Sequence, residues 1–172
     1  LPDDNDIKFW SDAAVRYKDH PNVIFELFNE PAGCTWQQYY EGGHLTYTGK
    51  NDWGEDADIT IDACGIPELL RAVRATGAKN VCILPGINWS FDLSCVTESD
   101  FEEFAKSVAE SESPENIDGF VKEYKEKYFL KETSGNGIMY STHPYPTKPV
   151  DWDQYLKNAA LQYPILVGEC GP

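Results

Sequence analysis

Four short runs of apolar residues set the rhythm of this chain, and helical patterns fill the intervals between them. The runs are NVIFELFNE from Asn22, NVCILPG from Asn80, GIMYSTHPY from Gly137 and PILVGE from Pro164. Each is rich in Val, Ile, Leu or Phe and is bounded by Gly, Pro or Asn, the punctuation of a β-strand. Ahead of the first, Ile7–Lys18 spaces Phe9, Trp10, Ala13, Ala14 and Tyr17 near a helical period and stops at His20-Pro21. Ile66–Ala75 takes Pro67 early in its first turn and meets Gly77 just past its end. Asp118–Lys131, with Phe120, Val121, Tyr124, Tyr128 and Phe129 among charges, and Asp151–Leu161, with Trp152 and Tyr155, complete the helical set. Strands made mostly of apolar residues, alternating with helices, predict a parallel sheet covered by helices, the α/β class.

Two segments break the rhythm. Residues 31–65 and 86–114 follow the C-terminal ends of predicted strands, and both are longer than a simple connector needs. In α/β folds that end of the sheet is where sites are built. The first segment holds Trp36, Tyr39, Tyr40, Tyr47 and Trp53, and the second opens on Asn88 and Trp89. Aromatic faces in long loops suit stacking against the apolar C–H edges of sugar rings, which makes Trp36 and Trp89 candidate platforms. Packing into a satellite core is the competing reading for any one of these rings.

Charge narrows the choice of partner. Lys+Arg 14 against Asp+Glu 29 give a net charge of -15, a field that repels nucleic acid and anionic membrane. No apolar run approaches the length of a bilayer span, and no leader-type pattern opens the chain. Five cysteines, Cys34, Cys64, Cys82, Cys95 and Cys170, are an odd number, so at least one is unpaired within the chain. Cys34 and Cys64 bracket the first long segment; a staple between them and two small buried thiols are both open readings. No cysteine or histidine spacing suggests zinc, and no metal or cofactor is expected.

The chemistry sits at the strand ends. Strand alternation puts Glu26, Phe28 and Glu30 on one face of the first run. A mid-strand Glu26 in a packed interior needs a partner, so it is expected to anchor a structural network. Glu30, where strand meets loop, is the better reagent, and Asn29 beside it can offer an amide hydrogen to a substrate hydroxyl. Glu169 stands in the same setting at the end of PILVGE, with Gly168 and Gly171 permitting close approach. Two glutamates at one end of a parallel sheet meet the demand of retaining glycoside hydrolysis: one protonated to assist the leaving oxygen, the other ionised to attack the anomeric carbon. His143 and Tyr145 end the third run at the same mouth. Tyr145 can donate to Glu169, and His143 can lie beside the acid or a substrate hydroxyl.

Asn29-Glu30-Pro31 after IFELF, His143-Pro144-Tyr145 after a strand, and Glu169 in ILVGECG resemble glycoside hydrolase family five, the cellulase family of (β/α)8 barrels. The resemblance runs from the helix before Glu30 to the last residue and is to barrel strands four to seven. It implies Glu30 as acid/base, Glu169 as nucleophile, Asn29 as partner of the sugar 2-hydroxyl, Tyr145 as donor to the nucleophile and His143 as an active-site residue. Asn88-Trp89-Ser90 is similar to the segment closing the fifth strand in many members, whereas Cys170 departs from the aromatic or aliphatic residue often found after the nucleophile. The expected protein is therefore a secreted β-glucan hydrolase, with endo-β-1,4-glucanase ahead of mannanase, xyloglucanase or β-1,3-glucanase. A catalytically silent carbohydrate-binding fragment is the alternative from another class. A whole barrel of this kind takes about 250 residues, so residues 1–172 are expected to be a partial catalytic domain, truncated at both ends. By the resemblance, the remaining strands would bring an Arg, a His and a Trp to the site.

Overall fold

Helix α1 (Asp4–Tyr17) starts where Asp3 closes a reciprocal cap. Its carboxylate accepts from the backbone N–H of Asn5 at 2.7 Å and of Asp6 at 3.3 Å, while Asp6 accepts from the Asp3 N–H at 3.0 Å. The structure, a computed structural model, describes residues 1–50, 53–132, 135–148 and 151–172. After α1 come β1 (Phe25–Glu26), α2 (Trp36–Glu41), β2 (Gly43–Lys50), β3 (Asp56–Ala63), α3 (Ile66–Ala75) and β4 (Cys82–Pro85). A helical turn α4 (Ile87–Ser90), α5 (Glu98–Glu112), α6 (Ile117–Tyr128), β5 (Ile138–Thr142), α7 (Trp152–Tyr155), α8 (Lys157–Gln162) and β6 (Ile165–Val167) follow.

β1, β4, β5 and β6 form a four-stranded sheet in that order, and each neighbouring pair is parallel. The four apolar runs are thus its four strands. Register aligns Phe25 with Cys82 and Cys82 with Ile138, and Pro85 with Ser141 and Ser141 with Leu166. One face, carrying Phe25, Leu27, Cys82, Leu84, Ile138 and Tyr140, joins Ala14, Ile66, Leu69, Val73, Phe101 and Ala105 in the main core. Each fully buried Leu, Ile or Phe there contributes about 1.5–3 kcal/mol of transfer free energy. Parallel strands with helices over one face are a segment of an α/β barrel. Ile24 and Val167, at the two outer strands, are about half exposed.

The expected helices stand, with α3 matching its predicted bounds and Asp151–Leu161 divided at Leu156 into α7 and α8. The long segments are not loops. Residues 31–65 hold α2 and an antiparallel hairpin of β2 with β3, and residues 86–114 hold α4 and α5. The hairpin had a local signal that the loop reading passed over. In DADITIDA the polar residues Asp56, Asp58, Thr60 and Asp62 alternate with Ala57, Ile59, Ile61 and Ala63, the period of a half-covered strand.

One further expectation gives way and one open reading is decided. Glu26 is exposed on β1 rather than set in a buried network. All five cysteines are free thiols, so Cys34 and Cys64 are not joined. No helix among the described residues is long and apolar enough to cross a membrane.

Candidate active site

The C-terminal ends of the four parallel strands bring distant residues together. His143 directly follows β5 and is 1% exposed, which fixes its ring. Its Nδ1 lies 2.8 Å from Glu30 Oε1 and 3.8 Å from Glu169 Oε1. The shorter of these contacts is a hydrogen bond between the imidazole and the Glu30 carboxyl group. One ligand-type atom from each of Glu30, His143 and Glu169 falls within 4.8 Å of the others. One oxygen of the Glu30 carboxyl and one of the Glu169 carboxyl therefore lie within 4.8 Å of each other.

Gly168 is what allows this approach. A Cβ there would stand 2.4 Å from Ser141 Oγ and 2.8 Å from His143 Nε2, so any other residue would push Glu169 away from the imidazole. Beyond it, the Tyr145 hydroxyl donates to Glu169 Oε2 at 2.9 Å. That bond holds the Tyr145 phenol above its usual range, which keeps it a proton donor.

The fourth corner is a strained turn. Asn88, Trp89 and Ser90 have φ of 55°, 56° and 56°, the left-handed region that costs non-glycine residues about 1 kcal/mol or more each. Surrounding segments hold it on every side. The Trp89 N–H donates to the Pro31 carbonyl at 3.0 Å, the His143 N–H to the Ser90 carbonyl at 3.2 Å, and the buried Ser90 hydroxyl to the Asn29 carbonyl. Lys148 donates to the Asn88 carbonyl at 2.8 Å and sits 4.4 Å from the centre of the Trp89 ring. Burial draws the Lys148 ammonium below its usual range, opposed by the charge of Glu30. The result is a cavity of about 400 Å³ lined by Glu30, Trp89, Tyr145, Thr147, Lys148 and Glu169.

Of the residues singled out from the sequence, Glu30, Glu169, Tyr145 and Trp89 share this cavity, with His143 bonded behind Glu30. Asn29 is exposed and is tied in through its carbonyl, and it does not line the cavity. Trp36 is elsewhere. It is half-buried against Tyr39 and Tyr40, with ring centres 5.0 and 6.0 Å away, so it serves the core rather than the mouth. Tyr39 and Tyr40 are likewise buried, their hydroxyls donating to the Pro85 and Cys95 carbonyls. Sequence reasoning missed Lys148 and named Ser90 only as part of a segment similar to the one closing the fifth strand. A lysine in a loop carries no local mark of what it will face, and Ser90 is conspicuous only through its backbone. Glu30, His143 and Glu169 are the one group among the described residues whose donor atoms are arranged to hold a cation.

A parallel sheet with helices on one face and paired carboxylates at its C-terminal rim defines a barrel enzyme fold of the kind that builds sites from strand ends. The chain belongs to the cellulase family, glycosyl hydrolase family 5, whose model matches residues 3–171. Among solved structures it is similar to the β-glucanase SdGluc5_26A of Saccharophagus degradans, at 22% identity and a TM-score of 0.52, over 97% of this chain and 39% of that one. The same enzyme in complex with cellotetraose matches at 20% identity and a TM-score of 0.54, over 97% and 39% of the two chains. The catalytic domain of the Thermobifida fusca endoglucanase Cel5A matches at 20% identity and a TM-score of 0.51, over 98% and 40%. These likenesses show the fold, and this chain spans about two fifths of the length of those structures. No curated protein matches the chain.

Proposed function

We propose that this chain carries the acid pair of a retaining endo-β-1,4-glucanase. The observation behind the proposal is the approach of Glu30 and Glu169 to within 4.8 Å, with His143 between them. In the first step the Glu169 carboxylate attacks the anomeric carbon as the glycosidic C–O bond breaks, and Glu30 gives its proton to the departing oxygen. In the second, Glu30 takes a proton from water, whose oxygen displaces Glu169 and restores the original configuration. Tyr145 keeps the nucleophile oriented and ionised, and Trp89 offers a stacking face to a sugar ring. Asn29 reaches the 2-hydroxyl only if substrate draws its side chain inward.

No cofactor takes part. The substrate is an uncharged β-glucan, in keeping with a molecule of net charge -15 that repels polyanions. A polymer of that size does not cross a membrane, so the enzyme works outside the cell. The family membership and the cellotetraose complex of a relative support glucan over other β-glycans.

The test is hydrolysis of an aryl cellobioside, followed by labelling with an activated 2-fluoro-cellobioside and peptide mass spectrometry. Label on Glu169 and a product of retained configuration by proton NMR are expected. Label on Glu26, or inversion, refutes the mechanism, and binding without turnover leaves a carbohydrate-binding segment.

A further inference from the structure

Lys148 ends a tight turn in the loop after β5. Its N–H donates to the Tyr145 carbonyl at 2.9 Å, and Pro146 stands second in that turn, where its fixed φ favours the bend. The turn brings the lysine back beside Tyr145, so the residue that donates to Glu169 and the residue that reaches Trp89 belong to one short segment. Glu30 and Glu169 line the same cavity, yet among the described residues no ion pair joins Lys148 to either. The ammonium turns to neutral groups instead. It lies 2.8 Å from the Asn88 carbonyl oxygen, 3.5 Å from Asn88 Oδ1 and 4.4 Å from the centre of the Trp89 ring.

What the ammonium holds would not hold itself. Asn88, Trp89 and Ser90 all take positive φ and none is a glycine, and Trp89 is 51% exposed, so packing alone does not fix its ring. The Trp89 N–H and the Ser90 hydroxyl are tied to the Pro31 and Asn29 carbonyls. Apart from Lys148, the Asn88 carbonyl has only a long contact, 3.4 Å from the Phe91 N–H. A charged donor makes a stronger bond to a carbonyl than a neutral one does, and a cation beside an indole is drawn by the ring's quadrupole. One charge therefore fixes the backbone of Asn88 and the side chain of the next residue together.

We propose that Lys148 is a positioning residue, whose charge clamps Asn88 and Trp89 as one unit and so aims the indole into the cavity beside Glu30. The inference rests on the reaction proposed above, in which Trp89 stacks a sugar, and adds the group that sets that stack. Placement of the ring bears alike on bound substrate and on transition state, so the charge acts on affinity and not on the chemical step.

The clamp is read by NMR as the heteronuclear Overhauser effect of the Trp89 indole N–H, assigned with Trp89→Phe. In the parent and in Lys148→Arg the indole is expected to be as ordered as the neighbouring backbone amides. In Lys148→Met, which keeps the apolar stem and drops the charge, it is expected to loosen. Equal order in all three, or equal loosening in the Arg and Met variants, would overturn the proposal. Hydrolysis of an aryl cellobioside is the second readout: Lys148→Met should raise KM about three- to tenfold, the scale of one cation–π contact, at unchanged kcat, and Lys148→Arg should restore it. A fall in kcat at unchanged KM would place the lysine in the chemistry, and a lower KM in Lys148→Met would make the ammonium a competitor of the sugar for the ring; either result overturns the positioning role. No turnover by the parent, with the NMR pattern intact, would overturn the reaction and leave the clamp.

Discussion

The Nδ1 of His143 lies 2.8 Å from Oε1 of Glu30, a contact between residues 113 apart in sequence. With the imidazole 1% exposed, the carboxylate is held by a ring that packing has already fixed. Glu30 is thereby aimed at the space in front of Glu169 rather than left to its own rotamers.

If Glu30 is the acid, its value depends on the leaving group. Glu30→Gln should lower kcat on cello-oligosaccharides by about 10²–10⁴. On dinitrophenyl cellobioside, whose leaving group departs without a proton, the first step should be nearly unaffected. Steady-state and burst kinetics on the two substrates make the comparison. Equal losses in the first step would remove Glu30 from the role of acid.

Tyr145→Phe removes one charge-assisted donor from Glu169 while keeping the ring. A hydrogen bond to a charged group is worth about 1.5–3 kcal/mol, so the rate of forming the glycosyl intermediate should fall roughly ten- to hundredfold. Rapid-quench measurement of that step checks it, and an unchanged rate would show that Glu169 is oriented without Tyr145.

Arg74 is a stability anchor away from the chemistry. Its Nε meets Glu132 Oε2 at 2.6 Å with both side chains at or below 10% exposure, and its other nitrogens donate to the carbonyls of Ala78, Asn80 and Gly137. Those carbonyls flank the starts of β4 and β5. Arg74→Ala takes the guanidinium from the buried Glu132 carboxylate, which keeps the Gly135 N–H at 2.9 Å, and removes one donor from each of three carbonyls; it should cost about 3–5 kcal/mol in urea unfolding. A loss below 1 kcal/mol would contradict the assignment.

Burial pushes the hydroxyls of Tyr39, Tyr40 and Tyr140 far above the usual phenol range. The folded state then holds these protons more tightly than the unfolded chain does. Their contribution is complete below about pH 10, the ordinary tyrosine value, and is lost as pH rises beyond it. Absorbance titration near 295 nm should show other tyrosines ionising first, and these three only together with the loss of near-ultraviolet circular dichroism. Full ionisation with the fold intact would be the contrary result.

The thiols give a direct check on the absent staple. Burial pushes Cys64 and Cys82 up to about 11 and also raises Cys34 and Cys95, whereas Cys170 is exposed. Dithionitrobenzoate at pH 8 should modify Cys170 rapidly and the others slowly, reaching all five in guanidinium. Three reactive thiols in denaturant would mean that a disulfide has formed.

Much of this architecture could be read locally. The runs that became β1, β4, β5 and β6 announce themselves by apolar content and by the Gly, Pro and Asn at their ends, because strand burial and chain reversal are short-range demands. Helix α3 is bounded by Pro67 and Gly77 for the same reason. Glu30, His143, Tyr145 and Glu169 follow strands of one parallel sheet, so a common rim was implied before any distance was known.

Residue type alone did not say which aromatic ring would pack and which would face the cleft. Trp36, Tyr39, Tyr40 and Tyr47 lie within one short stretch, yet three went to the core side and Tyr47 stayed open, a division decided by where α2 and the hairpin come to rest. Glu26 and Glu30 divide in the same way, one exposed on β1 and the other set against a buried imidazole. Amino-acid sequence settled the elements, their order and the chemical groups at their ends, because those depend on neighbours along the chain. Only tertiary structure could bring Gly168 against His143 and Ser90 under Asn29, since such contacts join residues that share nothing but the space into which the sheet folds them.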